Sequence, residues 1–206
     1  MTRLVLIRHG ESVAQVEGFV SGHDTCRGLS PLGRRQVEAL RDRLSRTGEI
    51  HADVLLTSLL PRAIETAEIV SPAIGGLEPI PDCDLCEMHF GSAEGTRWED
   101  GTLQGWGPHM EAPEGGESWA AFEARVAGAL RRYAEAHAGK TIVAAVHGGV
   151  IGHAWRALLG IDEVPAADIR NASITEWVHG RPPYGDGAPS WRLVRFNDFA
   201  HLEGVA

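Results

Sequence analysis

Lysine is almost missing from this sequence: Lys140 stands alone among 19 basic residues, and the rest are Arg. Arg suits a phosphate clamp because its planar guanidinium never loses its charge, but so uniform an excess reads first as codon preference. Cysteine is scarce as well. Cys26, Cys83 and Cys86 are too few, and odd in number, for a disulfide framework. Cys83-Asp84-Leu85-Cys86, with His89 three residues on, has the outline of half a zinc site or of a redox pair. No second cysteine pair completes it, so the two read as incidental small residues and no metal is expected. No apolar run approaches the ~20 residues that span a bilayer. The opening Leu4-Val5-Leu6-Ile7 is too short for a signal peptide and is stopped by Arg8, so a cytoplasmic protein is expected. Positive charge is in deficit, with a formal net charge of −9, which argues against a nucleic-acid or anionic-membrane surface. A small anionic ligand stays open, because exposed charges are screened beyond about 10 Å and a local Arg cluster decides.

What is present fits one domain over residues 1–206, with 43% hydrophobic residues to build a sizeable core. Leu4 to Ile7 reads as a buried strand that stops at Arg8-His9-Gly10-Glu11, and residues 10–30, rich in Gly, Ser and polar side chains, read as a loop over a site. Ser30-Pro31 opens a helix as N-cap and first helical position, Val37, Leu40 and Leu44 give it an apolar face, and Gly48 ends it. Its arginines, Arg34, Arg35, Arg41, Arg43 and Arg46, read mostly as a solvated face. Asp53 to Ser58 is a second buried strand, with Ser58 as the expected cap of the helix that follows and Arg62 near its first turn, a natural anion site. Leu77 to Pro81 suits a short strand.

Residues 91–117 break the pattern with many glycines and with Trp98, Trp106 and Met110, as a lid or pocket wall would. A long helix from Ser118 to Gly139 follows, then the strand Thr141 to Val146, ended by His147-Gly148-Gly149, then a helix from Val150 to Leu159. Ile174 to Val178 and Trp191 to Phe196 look like the last strands. Strands separated by helices point to an α/β fold: a three-layer sandwich with a mostly parallel central sheet, helices on both faces, and a Gly/Trp-rich lid insertion.

Arg8, His9, Arg62, Glu87 and His147 stand out, four of them at a strand end or at the helix start after one. With R-H-G-E-S at Arg8 to Ser12, S-x-L-x-R-A-x-E-T-A at Ser58 to Ala67, L-x-E-x-x-F-G at Leu85 to Gly91 and V-H-G-G at Val146 to Gly149, the chain resembles the histidine phosphatase superfamily, the phosphoglycerate mutase-like proteins. The resemblance implies that His9 is a nucleophile forming a phosphohistidine, with Arg8, Arg62 and His147 holding the phosphoryl oxygens and Glu87 serving as acid and then base. Glu94, Asp82 and Asp84 are competing carboxylates for that last role. Substrate contacts are expected from Gln15, which stands where many members carry Asn, from the family-like Ser21-Gly22, and from the Gly148 amide. His23 and His109 fall in loops expected around the pocket mouth. His147 and His153, six residues apart, do not suit a helical metal pair.

Three readings follow. The leading one is a metal-independent phosphomonoesterase acting on a small phosphorylated metabolite, without cofactor and with a homodimer as one possible assembly. The second is a cofactor-dependent phosphoglycerate mutase; Ala14 and Phe19 replace residues that mutases use near substrate, and the chain ends soon after Phe199. The third is a non-catalytic member that binds phosphorylated ligands.

Overall fold

The computed structural model describes residues 1–101, 103, 107–109, 111–161, 167–184 and 186–205. Its centre is a six-stranded sheet in the order β3-β2-β4-β1-β5-β6. The strands are β1 (Thr2–Arg8), β2 (Val54–Thr57), β3 (Ile80–Pro81), β4 (Thr141–Val146), β5 (Ile174–Gly180) and β6 (Ser190–Asp198). The pairings β1–β4, β2–β4 and β2–β3 are parallel; β5 runs antiparallel to β1, and β6 to β5. The sheet is therefore mostly parallel, as expected, with an antiparallel hairpin on one side.

Side chains alternate across a strand, and the core divides accordingly. Leu4 and Leu6 of β1 and Ile142, Ala144 and Val146 of β4 face Phe122, Val126 and Leu130 of α4 (Trp119–Ala136) and Val150, Ile151 and Ala154 of α5 (Gly148–Leu159). Val5 and Ile7, with Val143 and Ala145, face Val37, Leu40 and Leu44 of α2 (Pro31–Thr47) and Ala67, Val70 and Ile74 of α3 (Pro61–Ile74). Helices thus cover both faces, which explains why β1 and β4 are continuous apolar runs rather than alternating ones.

Ser30 and Gly48 cap α2 at the expected positions, Ser30 Oγ accepting from Gly33 N at 2.9 Å and Gly48 adopting the left-handed conformation. Other boundaries moved. The loop over 10–30 contains a short helix, α1 (Val13–Glu17), closed by a capping box between Ser12 and Gln15. Ser58 does not cap α3; Leu60 occupies that position, with Pro61 as the first helical residue. α4 stops at Ala136, before Gly139, and α5 begins at Gly148, two residues earlier than Val150, with His147 as its N-cap. Within 91–117, one-turn 3₁₀ helices cover Gly91–Ala93 and Trp98–Asp100. Trp106 and Met110 lie outside the described residues, so the lid expectation rests on Trp98 alone.

Candidate active site

Parallel pairing of β1 with β4 sets Arg8 beside Val146, so the residues that follow each strand, His9 and His147, emerge together at the carboxyl ends. Open α/β sheets bind ligands in this position. The His9 amide donates to Val146 O at 2.9 Å, fixing the turn-off point, and the two imidazole centroids are 5.1 Å apart.

Both rings are buried. His9 Nδ1 lies 2.6 Å from Gly10 O, so its proton is donated there, and Arg62 Nε donates to Nε2 at 3.2 Å. These two bonds select one tautomer, with the Nε2 lone pair directed at the Arg62 guanidinium. Burial, then the charges of Arg62 and Arg8, hold the His9 imidazole well below its usual 6.5. Burial, Arg62 and His9 do the same to His147. His147 Nε2 lies 2.7 Å from Ser58 Oγ, which already accepts from Leu60 N at 3.2 Å. When the hydroxyl gives its proton to Nε2, the imidazole proton sits on Nδ1, the tautomer the expected phosphoryl chemistry uses. Ser58 is thus a positioning group for His147, a role the expectation of a helix cap had hidden.

A cavity of about 200 Å³ opens over His9, lined by Arg8, Ser12, Ala14, Gln15, Phe19, Ser21, Arg62, Glu87, Phe90 and Trp98. Arg62 sits in the first turn of α3, buried, with Nη1 reaching towards Ser21 O and 3.3 Å from Cys26 Sγ. Arg8 donates through Nη1 to the carbonyl of Ile169. Glu87 is the only carboxylate lining the cavity among the described residues. Its Oε1 accepts from Met88 N at 3.1 Å and its Oε2 from Gly149 N at 3.0 Å. The other carboxylates are engaged elsewhere. Glu94 accepts from His23 N, Asp24 N and Thr25 Oγ1, while Asp82 holds Tyr133 and Arg132, and Asp84 holds Arg132.

The expected substrate contacts divide. Ser21 lines the cavity. Gln15 lines it too, but its amide is taken up by the Ser12 amide and by Asn171. Gly22 is not among the lining residues; a Cβ there would strike Glu94 Oε1 at 1.9 Å, so it packs against the carboxylate that holds its own loop. A Cβ at Gly148 would sit in ordinary contact with Arg8 Nε at 3.6 Å, whereas one at Gly149 would meet Glu87 Oε1 at 2.2 Å. Space is therefore decisive at Gly149 and not at Gly148. His109 is exposed, and His153 packs between Trp119 and Phe122. Asn171 was not singled out from the sequence; its Nδ2 donates to His9 O at 3.0 Å, and no motif around it advertised that bond.

A family model, that of the histidine phosphatase superfamily (branch 1), matches residues 4–198. The chain belongs to the histidine phosphatase superfamily. This histidine phosphatase is 31% identical to phosphoglycerate mutase-like protein 4 of Arabidopsis thaliana, over 97% of this chain and 86% of that one. It is 30% identical to the metal-independent phosphoserine phosphatase of the same plant, over 100% of this chain and 85% of the relative. Among solved structures it is similar to a mycobacterial glucosyl-3-phosphoglycerate phosphatase, with a TM-score of 0.77 and 27% identity over 95% of this chain and 98% of the other. It is a phosphatase.

Proposed function

We propose that the protein hydrolyses a small phosphorylated metabolite through a phosphohistidine on His9. The observation that carries the reading is a set of buried polar atoms in and beside the cavity: Arg8 and Ser21 line it, and His147, which does not, sits against His9 with ring centroids 5.1 Å apart. Arg8 Nε, Ser21 Oγ and His147 Nδ1 have no protein partner among the described residues. Leaving buried donors unpaired costs about 1–3 kcal/mol each. A tetrahedral phosphoryl group, with three oxygens to be held, is the ligand whose acceptors answer all of them.

In the first half-reaction the His9 Nε2 lone pair forms a bond to phosphorus as the bond to the leaving oxygen breaks. Arg8, Arg62 and the Nδ1–H of His147 carry the charge spread over the equatorial oxygens. Glu87 gives its proton to the departing oxygen. In the second half it takes one from a water, the water oxygen bonds to phosphorus and the P–N bond breaks, restoring neutral His9 and a protonated Glu87. No step calls for a metal.

The cavity wall favours water over a second phosphoglycerate as acceptor, because Ala14, Phe19, Phe90 and Trp98 present apolar surface beside the nucleophile rather than groups for a second anion. The same wall suits a leaving group with apolar or ring surface. Relatives named for phosphoserine and for a glucosylated phosphoglycerate give the size range. A cytoplasmic location is part of the proposal, supported by three free cysteines.

The test is phosphate release from an aryl phosphate and from a panel of phosphometabolites, with chelator present and the phosphoenzyme trapped by rapid quench. The expected result is an acid-labile phosphate on His9 and loss of turnover in His9→Ala. Activity that survives His9→Ala, or phosphoglycerate interconversion outpacing phosphate release, would overturn it.

A further inference from the structure

Away from the phosphoryl pocket, two loops bring a thiol and two imidazoles together. His23 lies in the loop after β1, and Cys83 and His89 flank the segment that carries Glu87. His23 Nε2 is 3.1 Å from His89 Nε2, and Cys83 Sγ is 4.0 Å from the first and 3.9 Å from the second. A tetrahedral zinc ion, with bonds of ~2.05 Å to nitrogen and ~2.3 Å to sulfur, sets N···N near ~3.3 Å and N···S near ~3.6 Å. All three observed separations fall within about 0.4 Å of those values.

We propose that His23, Cys83 and His89 form a binding site for a Zn²⁺-class transition ion, with a solvent molecule as fourth ligand. The donor set of one thiolate and two imidazoles selects such an ion over Mg²⁺ or Ca²⁺, which take oxygen. His23 is exposed while Cys83 and His89 are half-buried, leaving one side open for the fourth position. The three ligands are held from behind. Glu94 Oε1 accepts from the His23 amide at 3.1 Å, and Glu117 Oε2 from the His89 amide at 3.4 Å. Arg125, paired with Glu117 at 2.7 Å, donates to the carbonyls of Cys83, Asp84, Cys86 and Glu87. Backbone anchors of this kind reduce the ordering cost of binding.

Cys86 is not part of the set: it is buried, and its sulfur is not among the clustered ligand atoms. Binding would form two Zn–N bonds and one Zn–S bond and release the Cys83 thiol proton to solvent. The proton between the two Nε2 atoms passes to Nδ1 of the ring that carried it, so that both imidazoles coordinate as neutral ligands. None of the three residues lines the phosphoryl cavity. The ion takes no part in phosphoryl transfer and acts as a staple, tying the loop that holds Ser21 to the segment that holds Glu87.

The experiment uses tag-free, reduced protein titrated with Co²⁺ as a spectroscopic probe and then with Zn²⁺ in competition. One equivalent should bind, giving a thiolate-to-cobalt charge-transfer band and intense visible bands of a tetrahedral site, both erased by Zn²⁺. Loss of an outer partner already costs 10–100-fold in metal affinity, so loss of a ligand in Cys83→Ser, His89→Gln or His23→Gln should weaken binding by more than about 100-fold. Zn²⁺ should raise the Tm of the wild type and leave that of Cys83→Ser unmoved. Circular dichroism confirms the fold of each variant, and His23, on an exposed loop, supplies the variant whose folding is not in question. A missing charge-transfer band, or binding that survives Cys83→Ser and His23→Gln alike, would show adventitious surface binding only and overturn the proposal.

Discussion

His9 is held ready by two hydrogen bonds that do opposite things: the Gly10 carbonyl fixes the proton on Nδ1, and the Arg62 guanidinium makes protonation of Nε2 unfavourable. Imidazole NMR should therefore show His9 and His147 still neutral at pH 6.5, where an exposed imidazole is half charged. Titration of either ring near that pH would contradict the reading. Glu87→Gln keeps the shape but carries no transferable proton, and kcat should fall about 10²–10⁴-fold, more for poor leaving groups than for an aryl phosphate. Gly149→Ala should lower kcat in the same leaving-group-dependent way, because a Cβ at that position displaces the Glu87 carboxylate. Equal losses on good and poor leaving groups would assign that defect to folding. Arg8, His9, Arg62 and His147 were legible because each sits at the end of an apolar strand or in the helix start after one, and Glu87 only because its motif repeats the family's. Asn171 and Ser58 were not: their work is a bond to a distant partner, His9 O and His147, which local sequence does not encode.

Among the elements, the junction of α2 with the turn after β1 sets how closely that helix approaches the site. A Cβ on Gly33 would meet Glu11 O at 1.9 Å, and one on Gly10 would meet Gly33 O at 2.4 Å, both rigid backbone. Gly33→Ala should lower Tm and depress activity together, since separating the two segments moves His9; thermal melts with parallel turnover assays would check it. Ser30→Ala should cost about 1 kcal/mol or more through the lost cap and the lost bond to Glu11 Oε1, with chemical denaturation as the measurement and Ser30→Thr, which keeps both donor and acceptor, as the control. The α2 boundaries were readable because Ser-Pro and Gly act locally. The start of α5 was not, since two glycines, poor helix formers, lie where the sheet delivers the chain into a helix.

Across the whole molecule, charge closes the fold where the sequence suggested only a solvated face. Arg43 reaches from α2 to Glu49 and to Asp198 at the end of β6, and Arg195 joins the same cluster. The pairing with Arg43 holds Asp198 at about 2, below its usual 3.8, so its contribution is present above pH 3.8 and is lost as pH falls through 2. Imidazoles act earlier. His9, His147 and His201, the last at about 4, all bind protons less readily folded than unfolded. The unfolded chain gains protons first, so stability should decline as pH drops below 6.5 and keep declining to 4 and beyond, which a Tm series at constant ionic strength would record. A flat profile from pH 7 to 5 would contradict this.

The registry of β1 against β4 has a wider consequence. Because His9 and His147 leave the ends of two hydrogen-bonded strands, the spacing between the two imidazoles is a lattice constant of the sheet, indifferent to the loops that close the pocket. The loop after β1 is thus free to exchange one leaving group for another across descendants of this chain, while the placement of the two imidazoles is inherited unchanged. A single residue inserted in β4 would do the reverse, leaving that loop in place and moving His147 away from His9.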